Sequence, residues 1–338
     1  MKCLNNNKSF NNINKIKNSL SLIAAVCLLV ALFTGCAGEE YDIPYGMLES
    51  NSDFAVKDSD SQNSLEFFAH DLCATSQDIT DTSFINKDSI YAAAMYDLAA
   101  KDVMYSYNAT TRINPASLTK VMTALIVFEN CNLDDTITVQ DVTINEEGAQ
   151  LFKLHEGDKI TIRDLLYIDL VYSGNDASLA LAKEIAGSEE AFAEMMNAKA
   201  AELGCTGTHF VNSNGLTNED HYTTAYDLYL IFNEAIKYPE FLTIINTANY
   251  DVNYTNAEGE FVTKSIMTTN KFLTGDYAGP ETLAVIGGKT GTTNAAGKCI
   301  IVYLTDSYNN PYICVMMGAA DEPTLYQMVS NLCTDVFR

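Results

Sequence analysis

The stretch "INPASLTKVMTALIVFEN", residues 113–130, predicts the start of a buried helix. Asn114 can cap the helix, and Pro115 suits its first position because a proline there loses no intrahelical hydrogen bond. Apolar side chains then recur at helical spacing, at Leu118, Val121, Met122, Leu125, Ile126 and Phe128. Lys120 follows Ser117 by one turn, so the helix carries an amine and a hydroxyl side by side at the edge of its apolar surface.

Two later segments complete a pattern. "LVYSGNDAS", residues 170–178, contains Ser173-Gly174-Asn175, and "IGGKTGTTNAAG", residues 286–297, contains Lys289-Thr290-Gly291. An SxN pattern alone is uninformative because it recurs elsewhere in this chain. SxxK, SxN and KTG in this order, at a helix start, in a loop before a helix and on a strand, form the signature of penicillin-recognising serine enzymes.

These residue types fit nucleophilic catalysis by Ser117. A serine hydroxyl is a weak nucleophile and requires a base beside it, and Lys120 is one turn away. An amine acts as a base only when it is neutral. A dry pocket and a second cation, Lys289, both lower the pKa of an amine, so Lys120 is predicted to be the general base. Without the other motifs, a lysine that extends to the surface would be the better interpretation.

Four further residues are assigned to the same site. Ser173 can relay the proton to the leaving amine, and Asn175 can hold the substrate carbonyl and fix the amine. The backbone N–H groups of Ser117 and Thr292 are expected to form the oxyanion hole. The hydroxyls of Thr290 and Thr292 are placed to bind a terminal carboxylate. The alternative for the SGN segment is a turn that caps the next helix.

Two glycines beside Lys289 are attributed to peptide binding. Without side chains at Gly288 and Gly291, a peptide can lie along this strand and pair with it as an added strand. A β-bulge is the alternative explanation.

The order of predicted elements indicates an α+β fold. Strands are expected near both ends of the domain and helices between them, which predicts an antiparallel sheet flanked by helices plus a helical subdomain. The expected strands lie at 91–96, 103–107, 281–291, 297–306 and 311–320, with short strands in 135–142 and 159–172. Besides the helix after Ser117, the expected helices lie within 159–172 and at 176–187, 188–204, 224–236 and 324–337.

Residues 1–36 are predicted to be a lipoprotein-type signal peptide. A basic region with four lysines and no acids precedes a 14-residue apolar run, Leu20–Phe33, that is short for a membrane span. The run ends in "LFTGCAG", where Cys36 is the expected lipidated residue. An ordinary cleaved signal peptide and an uncleaved anchor are the alternatives. Residues 37–64 are acidic and aperiodic, which predicts a flexible tether before a catalytic domain at 65–338.

The charge of the chain argues against a nucleic-acid partner. The chain has 20 basic and 44 acidic residues, a formal net charge of −24, and loss of residues 1–36 would leave −28. Without a basic surface, neither nucleic acid nor anionic lipid or wall polymer is attracted. Attachment to the outer face of the bacterial cytoplasmic membrane is therefore expected to come from a lipid on Cys36.

Six of the nine cysteines would remain besides Cys36 once the signal peptide is removed: Cys73, Cys131, Cys205, Cys299, Cys314 and Cys333. They show no CxxC or Cys/His metal spacing, so we predict no metal site and no cofactor. Outside the cell these thiols can pair as disulfides, but buried free thiols fit their mostly apolar surroundings equally well.

The similarity to one family extends beyond the three motifs. "PASLTKVMTALIVFE", "DLLYIDLVYSGNDASLALAKEIAGSEEAFAEMMNAKAAELGCTGTHFVNSNGL", "HYTTAYDL", "TTNKFL" and "GGKTGTTNAAGKCIIVYLTD" resemble D-alanyl-D-alanine carboxypeptidases, the low-molecular-mass penicillin-binding proteins, over roughly residues 85–320. The resemblance implies the penicillin-recognising serine transpeptidase/β-lactamase-like fold, with the active site between sheet and helical subdomain. It also implies a serine peptidase that removes the terminal D-Ala from peptidoglycan stem peptides through an acyl-enzyme on Ser117, and acylation of Ser117 by β-lactams.

The sequence departs from that family in three respects. Many relatives carry a C-terminal β-rich domain and an amphipathic membrane helix, whereas this sequence ends at Arg338, and a lipid on Cys36 is expected to replace that anchor. Some relatives have a histidine where this chain has Thr292. Some place an arginine after the last strand to bind the substrate carboxylate, and "MGAADEPTLY" contains none. Lys271 and Lys298 are the remaining candidates for that cation.

Other functions stay open for the same motifs. A DD-endopeptidase would cut peptidoglycan cross-links at the same site. A class A β-lactamase shares the first and third motifs, but its E-x-x-L-N pattern is absent and the middle motif is SGN rather than SDN. A non-enzymatic wall-binding or penicillin-sensing lipoprotein would not need nucleophile, base and relay together. His209 and His221 are interpreted as hydrogen-bonded structural residues, because no G-x-S-x-G segment supports a Ser-His-Asp site.

Overall fold

The computed structural model describes most of the chain beyond its N-terminal part. The described residues are 71–75, 77–80 and 85–337, together with the backbone of Ala55–Val56 and Leu65–Glu66. The predicted signal peptide, the lipidation site at Cys36 and most of the predicted tether lie outside the described residues. No helix in the described part of the chain is both long and apolar enough to cross a membrane.

The chain divides into two units, residues 1–67 and residues 68–338. In the first unit, β1 (Ala55–Val56) and β2 (Leu65–Glu66) pair antiparallel. The second unit contains the three sequence motifs. Its strands are β3 (Ala92–Asp97), β4 (Asp102–Tyr107), β5 (Thr136–Thr138), β6 (Lys159–Thr161), β7 (Asn249–Thr255), β8 (Phe261–Met267), β9 (Ala284–Thr293), β10 (Gly297–Thr305) and β11 (Pro311–Ala319).

The α-helices of the second unit are α1 (Lys120–Asn130), α2 (Ile162–Tyr167), α3 (Asn175–Ala186), α4 (Glu189–Glu202), α5 (Ala225–Ala235), α6 (Pro239–Ile245), α7 (Lys271–Thr274) and α8 (Glu322–Asp335). Two short 3-10 helices lie at Lys87–Ser89 and Ala116–Thr119, and a π-helical turn at Ile168–Tyr172. Ser188 caps α4 by accepting a hydrogen bond from the Ala191 N–H at 3.1 Å, as its position before two glutamates predicts.

The main sheet confirms the antiparallel arrangement predicted from both ends of the domain. Its five strands lie in the order β4-β3-β11-β10-β9, so the last strand of the chain pairs with the first strand of the unit. β9, which carries Lys289-Thr290-Gly291, is an edge strand. One of its sides is therefore available for pairing with an extended peptide.

Helices cover both faces of this sheet. On β11, Ile313 and Val315 belong to a core shared with α1 and α5, whereas Cys314 and Met316 belong to a second core shared with α8. The alternation follows from the two-residue period of a strand. Because both faces are buried, β11 reads as an unbroken apolar run rather than as alternating apolar and polar residues.

A second sheet was not anticipated from the sequence. Its four strands pair antiparallel in the order β5-β6-β7-β8, and β7 and β8 form a hairpin. Most side chains of β8 are exposed, so a buried apolar face, which is the main sequence signal of a strand, is nearly absent there. The short strands predicted within 135–142 and 159–172 correspond to β5 and β6. The β7–β8 hairpin that joins them was not predicted, so the helical subdomain also carries a four-stranded sheet.

The six described cysteines after residue 70 are free thiols, and all but Cys131 are buried. The thiols of Cys314 on β11 and Cys333 on α8 are in hydrogen-bond contact. Burial raises the pKa of Cys73 to about 11 and that of Cys299 to about 12. Thiol reagents attack the thiolate, so these side chains are protected by both burial and protonation.

Brief labelling of the native protein with a thiol reagent should therefore modify Cys131 first among these six. Peptide mass spectrometry would locate the label, and Cys131→Ser should remove the fast signal. Unfolding under non-reducing conditions should then expose the other five thiols. If Cys314 and Cys333 alone stay unlabelled until a reductant is added, they form a disulfide and the free-thiol description is wrong for that pair.

Candidate active site

The three motifs meet at a cleft of about 760 Å³. Its walls come from β9, the 3-10 turn before α1, the segment before α3 and the loop at 214–217. The predicted site residues that line it are Ser117, Ser173, Asn175, Thr290, Gly291 and Thr292. Lys120 and Lys289 lie behind them, with exposed fractions of 0% and 1%. All eight predicted site residues in the described part of the chain are thus brought together.

The turn that carries Ser117 differs from the prediction. Ser117 lies in the 3-10 helix Ala116–Thr119, and the α-helix begins only at Lys120. The cause is Ala116, whose φ of 48° is outside the helical region and delays the start of the α-helix. The predicted cap is also wrong: Pro115 is the N-cap of the 3-10 turn and Thr119 that of the α-helix, and neither has a side-chain cap hydrogen bond. Asn114 Oδ1 instead accepts a hydrogen bond from the Ala116 N–H at 3.1 Å.

A buried histidine supports this turn. The Thr119 hydroxyl donates to the Ala116 carbonyl oxygen at 2.9 Å and lies 2.8 Å from His221 Nε2. His221 Nδ1 accepts from the Val211 N–H at 3.1 Å, so Nε2 carries the proton and donates to Thr119. Burial lowers the pKa of His221 to about 4, which keeps it neutral. The prediction of a hydrogen-bonded structural histidine is confirmed here.

His209 is bonded in a similar way. Its Nδ1 lies 2.6 Å from the Asp220 carbonyl oxygen, and its backbone pairs with Tyr222. This also agrees with the predicted structural role.

The amine of Lys120 is held by three oxygen atoms. Its Nζ lies 3.2 Å from Ser117 Oγ, 2.6 Å from Asn175 Oδ1 and 2.6 Å from the Asn214 carbonyl oxygen. Burial lowers the pKa of Lys120 to about 8. Three carboxylates oppose this shift: Asp169, Asp176 and Glu189. An amine that loses its proton this readily can act as a base toward the adjacent hydroxyl.

The amine of Lys289 lies on the other side of the same crevice. Its Nζ donates to Ser173 Oγ at 2.9 Å and to the Thr290 carbonyl oxygen at 2.8 Å. Burial, and then the charge of Lys120, hold the pKa of Lys289 well below its usual range, while Asp169 opposes them. Because the two amines disfavour each other's protonated form, their protons are lost in coupled steps.

The SGN segment is fixed by its backbone. Ser173 has a left-handed conformation, with φ 67° and ψ 34°, directly after the π-helical turn. A Cβ at Gly174 would lie 2.6 Å from Ile168 Cγ2, so a larger residue there would force Ile168 to move. Asp176 anchors the preceding loop by accepting hydrogen bonds from the N–H groups of Phe152, Lys153 and Leu154. The segment therefore starts α3 and positions two polar site residues, which unites both interpretations made from the sequence.

The glycines of β9 have a different role from the one predicted. A Cβ at Gly291 would lie 3.1 Å from the Ser117 backbone nitrogen, and a Cβ at Gly288 would lie 2.2 Å from the Ile301 carbonyl oxygen on β10. Neither missing side chain makes room for a peptide. Gly291 instead lets β9 approach the backbone of the Ser117 turn, and Thr292 is the next residue on that strand. The strand pairing has an irregularity near Val285 and Gly287, so the bulge lies outside these two positions.

Both candidate cations for a substrate carboxylate line the cleft. Lys271 already forms an ion pair with Asp276, with 2.8 Å between Nζ and Oδ2. Lys298 stands beside Thr292 in the register of β9 and β10, and it has no ion pair within the described ranges. The Thr290 hydroxyl lies 2.5 Å from that of Thr269, which orients it at the cleft.

Three groups that help to position the site residues were not predicted from the sequence. The Asn214 carbonyl holds Lys120, and a backbone oxygen leaves no signal in a sequence. Glu189 fixes that loop by accepting hydrogen bonds from the N–H and hydroxyl of Ser213 at 3.1 and 2.8 Å. Asp169 is fully buried, and it did have a signal: it is the one charged residue inside the apolar run "LLYIDLVY".

The amino-acid sequence of the chain is similar to those of known proteins of one family. A family model described as peptidase S11, D-alanyl-D-alanine carboxypeptidase, matches residues 82–321. The D-alanyl-D-alanine carboxypeptidase DacF of Bacillus subtilis (strain 168) is 34% identical over 234 residues, which cover 68% of this chain and 57% of that protein. The D-alanyl-D-alanine carboxypeptidase of Streptomyces sp. (strain K15) is 31% identical over 248 residues, 69% of this chain and 83% of that protein.

The fold of the chain is also similar to that of solved structures. The crystal structure of the Streptomyces K15 DD-transpeptidase has a TM-score of 0.69 and 28% identity, and covers 77% of this chain and 99% of that one. The predicted α+β fold of this class is therefore confirmed. The match spans less than two thirds of the Bacillus relative's own length.

Gly215 offers a test of the packing behind Ser117. Its φ is +87°, and a Cβ there would lie 1.9 Å from the Ala116 carbonyl oxygen. Gly187→Ala is the matched control, because Gly187 has a φ of +81° and open space around it. We expect Gly187→Ala to lower the free energy of unfolding by about 1 kcal/mol, and Gly215→Ala by about 1–3 kcal/mol more because of the collision.

Denaturant unfolding of both variants would measure this difference. Equal losses for the two substitutions would mean that the 214–217 loop does not pack against the Ser117 turn as described.

Proposed function

Because the chain belongs to the D-alanyl-D-alanine carboxypeptidase family, peptidase S11, we propose that it removes the terminal D-Ala from peptidoglycan stem peptides through an acyl-enzyme on Ser117. The observation that carries the proposal is the contact of 3.2 Å between Ser117 Oγ and the fully buried amine of Lys120. The second buried amine, Lys289, supports it by favouring loss of a proton from the pair.

Acylation begins at Ser117. Lys120, in its neutral form, takes the hydroxyl proton while Ser117 Oγ forms a bond to the penultimate D-Ala carbonyl carbon. The carbonyl oxygen gains the negative charge of a tetrahedral intermediate. We assign the backbone N–H groups of Ser117 and Thr292 as donors to this oxygen, supported by the close approach that Gly291 allows.

Collapse of the intermediate breaks the peptide bond. The departing amine of D-Ala needs a proton, and Ser173 is assigned as its donor. Lys289, whose Nζ donates to Ser173 Oγ at 2.9 Å, returns a proton to that hydroxyl. Asn175 keeps Lys120 in place through its Oδ1, and its amide is proposed to bind the substrate backbone. Water then hydrolyses the Ser117 ester and restores the free hydroxyl.

The substrate is proposed to bind as an extended peptide along β9, the free edge of the main sheet. Its terminal carboxylate would accept hydrogen bonds from the hydroxyls of Thr290 and Thr292. Lys298 is the better placed of the two cations, because it lies beside Thr292 while Lys271 is paired with Asp276. This assignment replaces the arginine that some relatives have after the last strand.

The same proposal places the enzyme outside the cytoplasmic membrane with a lipid on Cys36. It is supported by the basic region, the short apolar run and the "LFTGCAG" segment of the sequence. The formal charge of −24 gives the protein itself no attraction to anionic lipid, so the lipid would supply the attachment.

Removal of the Ser117 hydroxyl tests the central assignment. We expect Ser117→Ala to lower D-Ala release from a peptide ending in D-Ala-D-Ala by at least about 1,000-fold, because the nucleophile is lost. Ser307→Ala is the control: Ser307 also precedes an SxN asparagine, but it lies exposed in the turn between β10 and β11. It should release D-Ala at the normal rate.

Thermal unfolding of each variant would show that it is folded. Retained release in Ser117→Ala would remove Ser117 as the nucleophile. Cleavage of a cross-linked peptide dimer in preference to the linear peptide would favour the endopeptidase.

The fate of bound penicillin separates a carboxypeptidase from a β-lactamase. Glu189 is engaged by Ser213 and Asn214, and Glu146 and Glu147 are exposed on the rim of the cleft. Glu322 also lines the cleft, but no glutamate of the described residues is hydrogen-bonded to Ser117. Because a glutamate beside the ester would be needed to activate water, we expect a fluorescent penicillin to stay attached to Ser117 for many minutes. Gel fluorescence after removal of free drug would measure its loss, with unlabelled Ser117→Ala as the control. Release within seconds, together with steady drug hydrolysis, would favour the lactamase.

A further inference from the structure

A buried carboxylate that the proposed mechanism does not use lies at the centre of the site. Asp169, in the π-helical turn before Ser173, has an exposed fraction of 0%. Its Oδ1 accepts a hydrogen bond from the Ser178 hydroxyl at 2.5 Å. Its Oδ2 is buried and has no hydrogen-bond partner among the described residues. A buried carboxylate oxygen without a partner is costly, so something else must favour it.

The surroundings of Asp169 supply the compensation. It precedes Ser173, which binds the Lys289 amine, by one turn. Its partner Ser178 follows Asn175, which binds the Lys120 amine, by one turn of α3. Asp169 is therefore close in the chain, or hydrogen-bonded through Ser178, to the segments that hold both amines. Its negative charge interacts with both lysines. The ionisable groups that face this crevice are Lys120 from α1, Lys289 from β9, Asp176 from α3 and Glu189 from α4.

The other two carboxylates, those of Asp176 and Glu189, already have hydrogen-bond donors. Asp176 accepts hydrogen bonds from three backbone N–H groups, and Glu189 accepts from Ser213 and Asn214. Both act on Lys120, whereas only Asp169 acts on both lysines.

We propose that Asp169 is a positioning residue that sets the number of protons on the two site lysines, so that one amine is neutral and the other charged when the enzyme works. The inference rests on the proposed function. A buried set of two amines and one carboxylate has no net charge when it holds a single ammonium, which is the least costly state away from water. Of the two forms of that state, the proposed mechanism uses the one with a neutral Lys120 as base and a charged Lys289.

Burial lowers the pKa of both lysines, which agrees with loss of one proton from the pair. Burial raises the pKa of Asp169 to about 6, and both lysines and Ser178 oppose that rise. Above that pH the carboxylate is charged and favours retention of one proton by the amines. Asp169 touches no substrate in the proposed mechanism and acts only through the lysines.

Asp169→Asn keeps the shape and the Ser178 hydrogen bond but removes the charge. Each proton on the lysine pair would then be held less tightly, so both the acid and the alkaline limb of the pH profile should move to lower pH. We expect a shift of about one pH unit or more on the alkaline limb. The measurement is the acylation rate of the full chain by a fluorescent penicillin between about pH 5 and about pH 10.

Ser178→Ala provides a second variant with a different expected result. It removes a donor that favours the charged carboxylate, which makes Asp169 easier to protonate. A protonated Asp169 carries no charge, as in Asp169→Asn, so the acid limb should also move to lower pH. The alkaline limb should stay in place because Asp169 is charged on that side in both proteins. Movement of the acid limb alone in Ser178→Ala, against movement of both limbs in Asp169→Asn, is not expected from a general loss of stability.

Asp158→Asn is the control for losing a buried carboxylate. Asp158 is 1% exposed, accepts hydrogen bonds from the His155 and Ala257 N–H groups, and does not act on either lysine. Its pH profile should match the wild type even if its melting temperature falls. If Asp169→Asn also lowers only the yield or melting temperature and leaves both limbs in place, Asp169 is structural and the inference is wrong. Failure of the proposed function would look different, as acylation that persists in Ser117→Ala.

Discussion

The burial of two lysine amines in one crevice is the constraint on which the rest of this structure depends. An unpaired ammonium costs several kcal/mol to remove from water, and Lys120 and Lys289 are almost completely buried. The protein surrounds each amine with oxygen atoms, three for Lys120 and two for Lys289. These contacts keep the amines in place without restoring their full affinity for a proton, and a weakly held proton is what a lysine base requires.

The constraint also explains why the site needs the complete fold. The acceptors of Lys120 on Asn175 and Asn214 lie 55 and 94 positions away in the chain, and Lys289 lies 116 positions from Ser173. Such contacts form only when helix, loop and edge strand are packed together. Gly215 and Gly291 both lie close against the backbone of the Ser117 turn, so the packing of this turn depends on glycines on two separate segments.

The main sheet and the meeting of the three motifs at one cleft could be predicted because both leave local signals. SxxK, SxN and KTG are short patterns, and β11 and the α4 cap follow from strand period and capping preference. The 3-10 turn at Ala116 had no such signal, because alanine rarely has a positive φ. The tertiary contacts of this turn, with Gly215 and through Thr119 with His221, account for that conformation. The β7–β8 hairpin lacked an apolar face, and the Asn214 carbonyl is invisible in any side-chain pattern.

The charge balance of the crevice also bears on substrate recognition. If Asp169, Lys120 and Lys289 together carry no net charge, the carboxylate of a D-Ala-D-Ala peptide gains little long-range attraction from them, and the chain as a whole is strongly acidic. Recognition then has to come from short-range donors at the cleft: the Thr290 and Thr292 hydroxyls and the amine of Lys298. A substrate carboxylate favours the protonated form of Lys120, and the ammonium of Lys289 in the same crevice opposes that effect.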